Sequence, residues 1–179
     1  MTSYVALLRG INVGGGNRIA MADLRQWVTA LGYDGVSTYI QSGNVVLRGP
    51  LRPTAEVAAA VRSAVRTGCG LDIAVVVVTS KELARVLGRN PYPEADDEPT
   101  KVHVAFLTDE PDLAGLEAVD PASYAPDEWA AGPGVLYLRF PDGTASSKLA
   151  VELGRKRTGV VATVRNWRTV TKLADLASA

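Results

Sequence analysis

The chain has 179 residues, 47% of them hydrophobic, a mean hydropathy of +0.08, and 19 basic residues balanced by 19 acidic ones. That is the composition of a soluble globular protein with one large or two small domains, and it excludes a membrane span, because no apolar run nears the roughly 20 residues that cross a bilayer. Cys69 is the one cysteine, which excludes an internal disulfide and means that a cysteine-based zinc site would need a partner chain; with no signal-peptide pattern in MTSYVALLRG, the expected compartment is the cytoplasm.

Tyr4 to Leu8 is a short apolar run that predicts a buried strand, followed by the glycine-rich stretch RGINVGGGNR, Arg9 to Arg18. Leu24, Trp27, Val28 and Leu31 recur at helical spacing, so Ala22 to Leu31 reads as an amphipathic helix with Gly32 as its left-handed stop. Val36 to Ile40 and Val45 to Arg48 read as a hairpin turning through Gln41, Ser42, Gly43 and Asn44. A second helix carries Val57, Val61 and Val65, DIAVVVVT at Asp72 to Thr79 is a strand, and a short helix follows from Ser80 to Leu87.

The second half repeats this order. Lys101 to Leu107 is a strand, Pro111 begins a helix with Leu113, Leu116 and Val119, and strands follow near Ser123 to Trp129 and at GVLYLRF, with a turn at Gly132 to Gly134. Ser146 is the expected cap of a helix bearing Leu149 and Leu153, Val160 to Val164 the closing strand, and Asn166 the cap of a terminal helix through Ala177. The expected fold is therefore α+β: a tandem duplication of two ferredoxin-like β-α-β-β-α-β units, residues 1–90 and 91–179, with an extra C-terminal helix. The proline- and acid-rich Asn90 to Thr100 reads as a linker between them.

The neutral total hides a division. Residues 1–90 carry 10 Lys+Arg against 5 Asp+Glu, residues 91–133 carry 1 against 11, and residues 134–179 carry 8 against 3. The acidic middle either clamps the basic ends or leaves basic surfaces for an anionic partner. Arginines outnumber lysines 14 to 5, which suits bidentate anion recognition.

The glycine stretch matches neither familiar phosphate motif. Gly10 and Gly15 are followed by Gly16 and Asn17 where a Walker loop needs lysine and a hydroxyl residue, and Ile19 stands where the dinucleotide fingerprint needs its third glycine. Two readings remain: an anion-binding nest of backbone N–H groups around Gly14 and Gly15, aided by Arg9, Asn12 and Arg18, or a plain strand-to-helix connection. Helix starts elsewhere repeat the theme. A helix N-terminus carries about half a positive charge and favours anions, yet Lys148 follows Ser147 in one first turn, while Arg165 and Arg168 flank Asn166 at another. Three such starts, if folding gathers them, point to phosphate, carboxylate or an acidic segment. Gln41, Ser42 and Asn44 add hydrogen-bonding groups at the hairpin tip, although turn chemistry alone explains Gly43-Asn44.

Other chemistry is thin. His103, the only histidine, alternates with Val102 and Val104 and reads as structural; Cys69 has no histidine near it; Asp96, Asp97 and Glu98 read as a solvated loop rather than a metal site. Trp167 reads as core, in a stripe with Val170 and Leu173, against the alternative of a base-stacking platform. No catalytic residue, metal or cofactor is expected from these patterns.

The motifs YVALLRGINVGGGNRIAMADLR, TYIQSGNVVL, KVHVAFL, SSKL and ATVRNWRTVTKL, in this order, resemble the bacterial domain of unknown function 1697 family across essentially the whole chain. The resemblance implies a duplication of two ferredoxin-like units and no established activity, cofactor or catalytic residue. It places the family's glycine loop on Arg9 to Asn17, its hairpin on Gln41 to Asn44, its serine-lysine step on Ser147 and Lys148, and its last helix start on Arg165 to Thr169. The family's loop often carries a lysine where Gly16 stands here. The expectation is a protein that binds a small anion, a phosphate-bearing metabolite or nucleotide. The alternatives are a nucleic-acid-binding module, disfavoured by 6% aromatic content, and an enzyme whose base is not recognisable.

Overall fold

The structure, a computed structural model, describes residues 1–109, 121–154 and 162–179. The described residues form two four-stranded antiparallel sheets and five α-helices. The chain divides into two compact units, Met1–Arg85 together with Lys172–Ala179, and Val86–Thr171.

The first unit contains β1 (Thr2–Leu8), α1 (Met21–Thr29), β2 (Asp34–Tyr39), β3 (Asn44–Gly49), α2 (Thr54–Cys69) and β4 (Val75–Thr79), and α3 (Ser80–Gly88) follows. Its strand order is β2-β3-β1-β4. β1 sits between two antiparallel partners, with Ala6 opposite both Val45 and Val77, which is why its sequence is apolar at every position from Tyr4 to Leu8. One face of the sheet, with Tyr4, Ala6, Leu8, Val45, Leu47, Val75 and Val77, packs with Leu24 and Val28 of α1 and with Val57, Val61 and Val65 of α2. The four-residue spacing of those valines lines them up on one stripe, and burying each aliphatic side chain contributes about 1.5–3 kcal/mol. α1 and α2 meet through a glycine: a Cβ at Gly68 would lie 2.2 Å from Cε2 of Trp27.

α1 is shorter than its sequence pattern. It ends at Thr29, so Leu31 is exposed rather than on the buried stripe, while Gly32 still turns the chain at φ +84°. α3 starts with a capping box, in which Thr79 Oγ1 accepts from Glu82 N at 3.2 Å and Glu82 Oε2 accepts from Thr79 N at 2.7 Å.

The second unit contains β5 (Val102–Leu107), β6 (Glu128–Gly132), β7 (Val135–Arg139), α4 (Lys148–Gly154) and β8 (Ala162–Asn166), and α5 (Trp167–Ser178) runs on from β8. The order β6-β7-β5-β8 reproduces that of the first sheet. The expected strand from Ser123 begins instead at Glu128, after a 3-10 turn at Pro121–Tyr124; Pro126 has no N–H to give a ladder. The cap of α4 is Ser147, not Ser146: its Oγ accepts from Ala150 N at 2.8 Å. The helix expected from Pro111, with Leu113, Leu116 and Val119, lies outside the described residues, as do Val160 and Val161 of the expected closing strand. Within Asn90 to Thr100, Tyr92 and Ala95 are buried and Asp96 Oδ1 accepts from Trp167 Nε1 at 3.0 Å. Trp167, Val170, Leu173 and Ala177 form the buried stripe of α5.

His103 faces the core side of the second sheet, its ring edge-on to Phe140 at 5.2 Å between centroids, and its Nδ1 has no hydrogen-bond partner. Burial pushes the imidazole below its ordinary value of 6.5, opposed by the Lys101 backbone. The folded state therefore holds fewer protons than the unfolded chain as pH falls below about 6.5, and its stability drops with pH in that window. Urea unfolding at pH 8 and at pH 5.5 measures this drop, and His103→Gln is expected to flatten it. An unchanged slope in the variant shows that His103 does not set it.

Candidate functional site

The segment between β1 and α1 is neither a Walker loop nor a featureless connection. Three positions are left-handed glycines, Gly10 (φ +65°), Gly14 (φ +61°) and Gly15 (φ +82°), and two are left-handed asparagines, Asn12 (φ 54°) and Asn17 (φ 46°). Asparagine tolerates this region because its short amide bonds nearby backbone. Asn12 does so fully. Its Nδ2 donates to the carbonyls of Ile19 and Gln41, each at 2.9 Å, and its Oδ1 accepts from Ile19 N at 2.9 Å. The backbone N–H of Asn12 donates to Asn17 O at 3.2 Å, closing the loop, and Asn17 Nδ2 donates to Gly10 O at 3.2 Å.

The hairpin tip is fitted to this loop. Leu8 N donates to Gly43 O at 2.8 Å, and a Cβ at Gly43 would lie 2.6 Å from Ile11 Cδ1 and 2.9 Å from Leu8 Cβ. Asn44 is fully buried, its Nδ2 donating to Tyr39 O at 2.9 Å and to Ser42 Oγ at 3.1 Å. Asn12, Ser42 and Asn44 thus hold the two loops in shape with the polar atoms that the sequence offered to a ligand.

Between the loops lies a cleft of about 420 Å³ lined by Asn12, Gly15, Gly16, Arg18, Ile19, Ala20 and Gln41. Ala20 is the N-cap of α1 and gives no side-chain cap, so the first N–H groups of that helix are left to solvent or to whatever fills the cleft; Asp23 is the acid in its first turn. Arg18 is exposed, and no carboxylate among the described residues pairs with it or with the half-buried Arg9. Three other cations are matched: Arg62 to Asp72, Lys101 to Glu98, and Arg139 to both Glu94 and Glu128, each at 2.6 Å. Arg139 thereby takes up two acids of the acidic middle.

The candidates of the second unit are arranged differently. Ser147 caps α4, and Asn166 Oδ1 accepts from Thr169 N at 3.0 Å, so both helix starts that bear cations satisfy an N–H with their own side chain. Lys148 and Arg168 are exposed in the first turns of α4 and α5. Arg165 is not in a loop before the helix: it lies on β8 opposite Val104, only 9% exposed, its Nη1 donating to Val164 O at 2.9 Å. Burial lowers its guanidinium to about 10, still charged at neutral pH.

Two exposed aliphatic residues, sequence neighbours of the cleft-lining Asn12 and Gln41, escape the sequence reading. Val13, next to Asn12, is 65% exposed, and Ile40, next to Gln41, is 48% exposed with φ 49°. Their signal was an aliphatic residue at each loop tip, hidden for Ile40 because it reads as the end of a strand.

Among known proteins, the family described as a protein of unknown function, DUF1697, matches residues 1–137. A conserved bacterial protein of Streptococcus pneumoniae has a similar structure, with a TM-score of 0.77, 23% sequence identity and 98% of each chain covered. At that identity the likeness speaks for the fold alone. No curated protein matches the chain.

The glycines of the site differ in what holds them. Gly16 has neither positive φ nor any atom within 4 Å of a Cβ, so Gly16→Ala is expected to stabilise the protein by about 0.4–1 kcal/mol through the unfolded chain. Gly15→Ala meets the left-handed penalty of about 1–2 kcal/mol. Gly43→Ala adds the clash with Ile11 and costs about 3 kcal/mol. Denaturant midpoints in this order check the loop geometry.

Proposed function

The chain belongs to the DUF1697 family, proteins of unknown function, and since membership brings no activity with it, we propose from the chain's own residues that the cleft beside the glycine loop binds a small anion, a phosphate-bearing metabolite or nucleotide. The observation that carries this reading is Arg18, unmatched by any carboxylate among the described residues, on the wall of a cleft that also holds Gly15, Gly16 and the uncapped start of α1. An arginine so placed offers a planar set of donors to phosphate, and the glycines let a ligand approach the backbone closely. Asn12 positions the loop, Gln41 offers its amide across the cleft, and Arg9 adds charge to the loop. Ser147 and Asn166 are read as helix caps, and Arg165 as a buried strand residue.

The same reading takes each unit as ferredoxin-like and the chain as their tandem duplication; the order β1, α1, β2, β3, α2, β4 and the matching strand orders support it. The cytoplasm is the proposed compartment, and no described helix is long and apolar enough to cross a membrane. Nucleic-acid binding is the weaker reading, because the exposed large apolar side chains among the described residues include no aromatic on which a base stacks.

Thermal unfolding in rising inorganic phosphate or pyrophosphate tests the site. Ligand at 100 times its Kd is expected to add about 2.7 kcal/mol. Arg18→Ala should remove that gain with little change in the free protein, while Gly16→Lys, for which the backbone and the open space leave room, should increase it. No stabilisation by any anion in the wild-type protein, or equal stabilisation after Arg18→Ala, overturns the assignment.

A further inference from the structure

Within the second unit a cavity of about 590 Å³ lies where the chain enters β6, an edge strand of its sheet. That volume falls within the range of roughly 300–1,000 Å³ seen for small organic ligands. Ala125, Pro126, Asp127, Glu128, Trp129 and Arg139 line it. Successive residues of a strand point to opposite faces, and the cavity takes its lining from both. Glu128 stands opposite Arg139 in the ladder, and Trp129 opposite Leu138.

The charge of this cavity is one-sided. Nε of Arg139 pairs with Glu94 and Nη1 with Glu128, each at 2.6 Å, so the guanidinium is spent on two carboxylates. Asp127, half-buried, makes no ion pair and no side-chain hydrogen bond among the described residues. Three carboxylates thus accompany one guanidinium. Tyr92 carries the mark of that excess: its hydroxyl is pushed above its ordinary value by burial first and then by Glu128, with Arg139 opposing and Glu94 adding. Such a cavity repels an anion and draws in a cation. The residues do not suit a metal ion, since no group of three side chains able to ligate one occurs among the described residues.

Trp129 decides what kind of cation fits. It packs against the core cluster that holds Tyr124 and Leu138, yet it is only half-buried and lines the cavity beside Ala125 and Pro126. A tryptophan and an unmatched carboxylate on one cavity are the groups that hold a guanidinium: the flat cation stacks on the indole while its parallel N–H donors take both oxygens of the carboxylate. An ammonium, with three donors spread about one nitrogen, uses a single carboxylate less fully.

We propose that this cavity binds a guanidinium carried on an aliphatic stem, with the cation on Asp127 and Trp129 and the stem along Pro126 and Ala125. A free guanidino compound and an arginine side chain of another polypeptide present the same group to these contacts. The acidic middle of the sequence thereby gains a role of its own, in a different unit from the anion cleft.

Isothermal titration at constant ionic strength tests the proposal with butylguanidinium, butylammonium, neutral butylurea and a blocked Ala-Arg-Ala peptide, on the wild-type protein and on Asp127→Asn, Trp129→Leu and Asp97→Asn. Butylguanidinium is expected to bind about ten-fold more tightly than butylurea, which keeps the shape and lacks the charge. Asp127→Asn conserves the shape of a half-buried side chain and should remove most of that preference, while Trp129→Leu should weaken butylguanidinium about five-fold. Asp97→Asn removes the same charge from an exposed acid outside the lining and should change neither affinity. A peptide that binds more tightly than butylguanidinium upholds the site and assigns it to an arginine of a partner chain; equal affinities uphold it for a free guanidino compound. Butylurea or butylammonium binding as tightly as butylguanidinium overturns the proposal. Equal losses in Asp97→Asn and Asp127→Asn overturn it in favour of diffuse attraction by the acidic segment, and so does the absence of binding by every probe at about 10 mM.

Discussion

The amide of Asn12 is the constraint on which the site depends. With both Nδ2 donors and Oδ1 engaged, it ties Ile19, at the foot of α1, to Gln41, at the tip of the hairpin, and so fixes the distance between the two walls of the cleft. A buried or half-buried amide with every bond made is stiff, because losing one partner leaves a polar group unpaired at about 1–3 kcal/mol. Its left-handed backbone is what points the side chain at three backbone partners at once, and Asn17 repeats the device at the far end of the loop. Glycines between two such asparagines are held open by their neighbours rather than free to collapse. Arg18 can therefore stand at the edge of a formed cleft without being drawn into the protein's own hydrogen bonding.

The same accounting of N–H groups separates the helix starts. Thr79 and Glu82 close α3, Ser147 closes α4 and Asn166 closes α5, so cations near the last two meet a partial charge already offset by a side-chain oxygen. At α1 the cap is an alanine, which lines the cleft and gives no side-chain cap. α2 also starts without a side-chain cap, behind Pro53, but it opens on no glycine loop. Position relative to a cleft, not cationic sequence alone, distinguishes the α1 start from the others.

Much of the architecture was legible because it rests on period and punctuation. The four-residue valines of α2, the uninterrupted apolar run of β1 and the Gly32 stop are local signals that the packed sheet and helices reproduce. The misses have local causes too. In sequence Arg165 stands beside a helix cap, where a charge suggests solvent, whereas β8 extends to Asn166 and carries the guanidinium into a buried position. Ser146 and Ser147 both suit a cap, and only the α4 backbone chooses between them. The candidate site was legible as a set of residue types but not as a division of labour. That Asn12, Ser42 and Asn44 would spend their polar atoms on the loops, leaving Arg18 and Gln41 to face the cleft, follows from left-handed dihedrals that no residue name announces.

The grouping of Lys172–Ala179 with Met1–Arg85 bears on how the protein is made. A ribosome delivers the amino-terminal strands and helices early, yet these C-terminal residues that belong with them emerge only after the whole second unit has left the exit tunnel. The unit translated first is thus the one completed last, and until then it must persist as an unfinished body beside a growing chain.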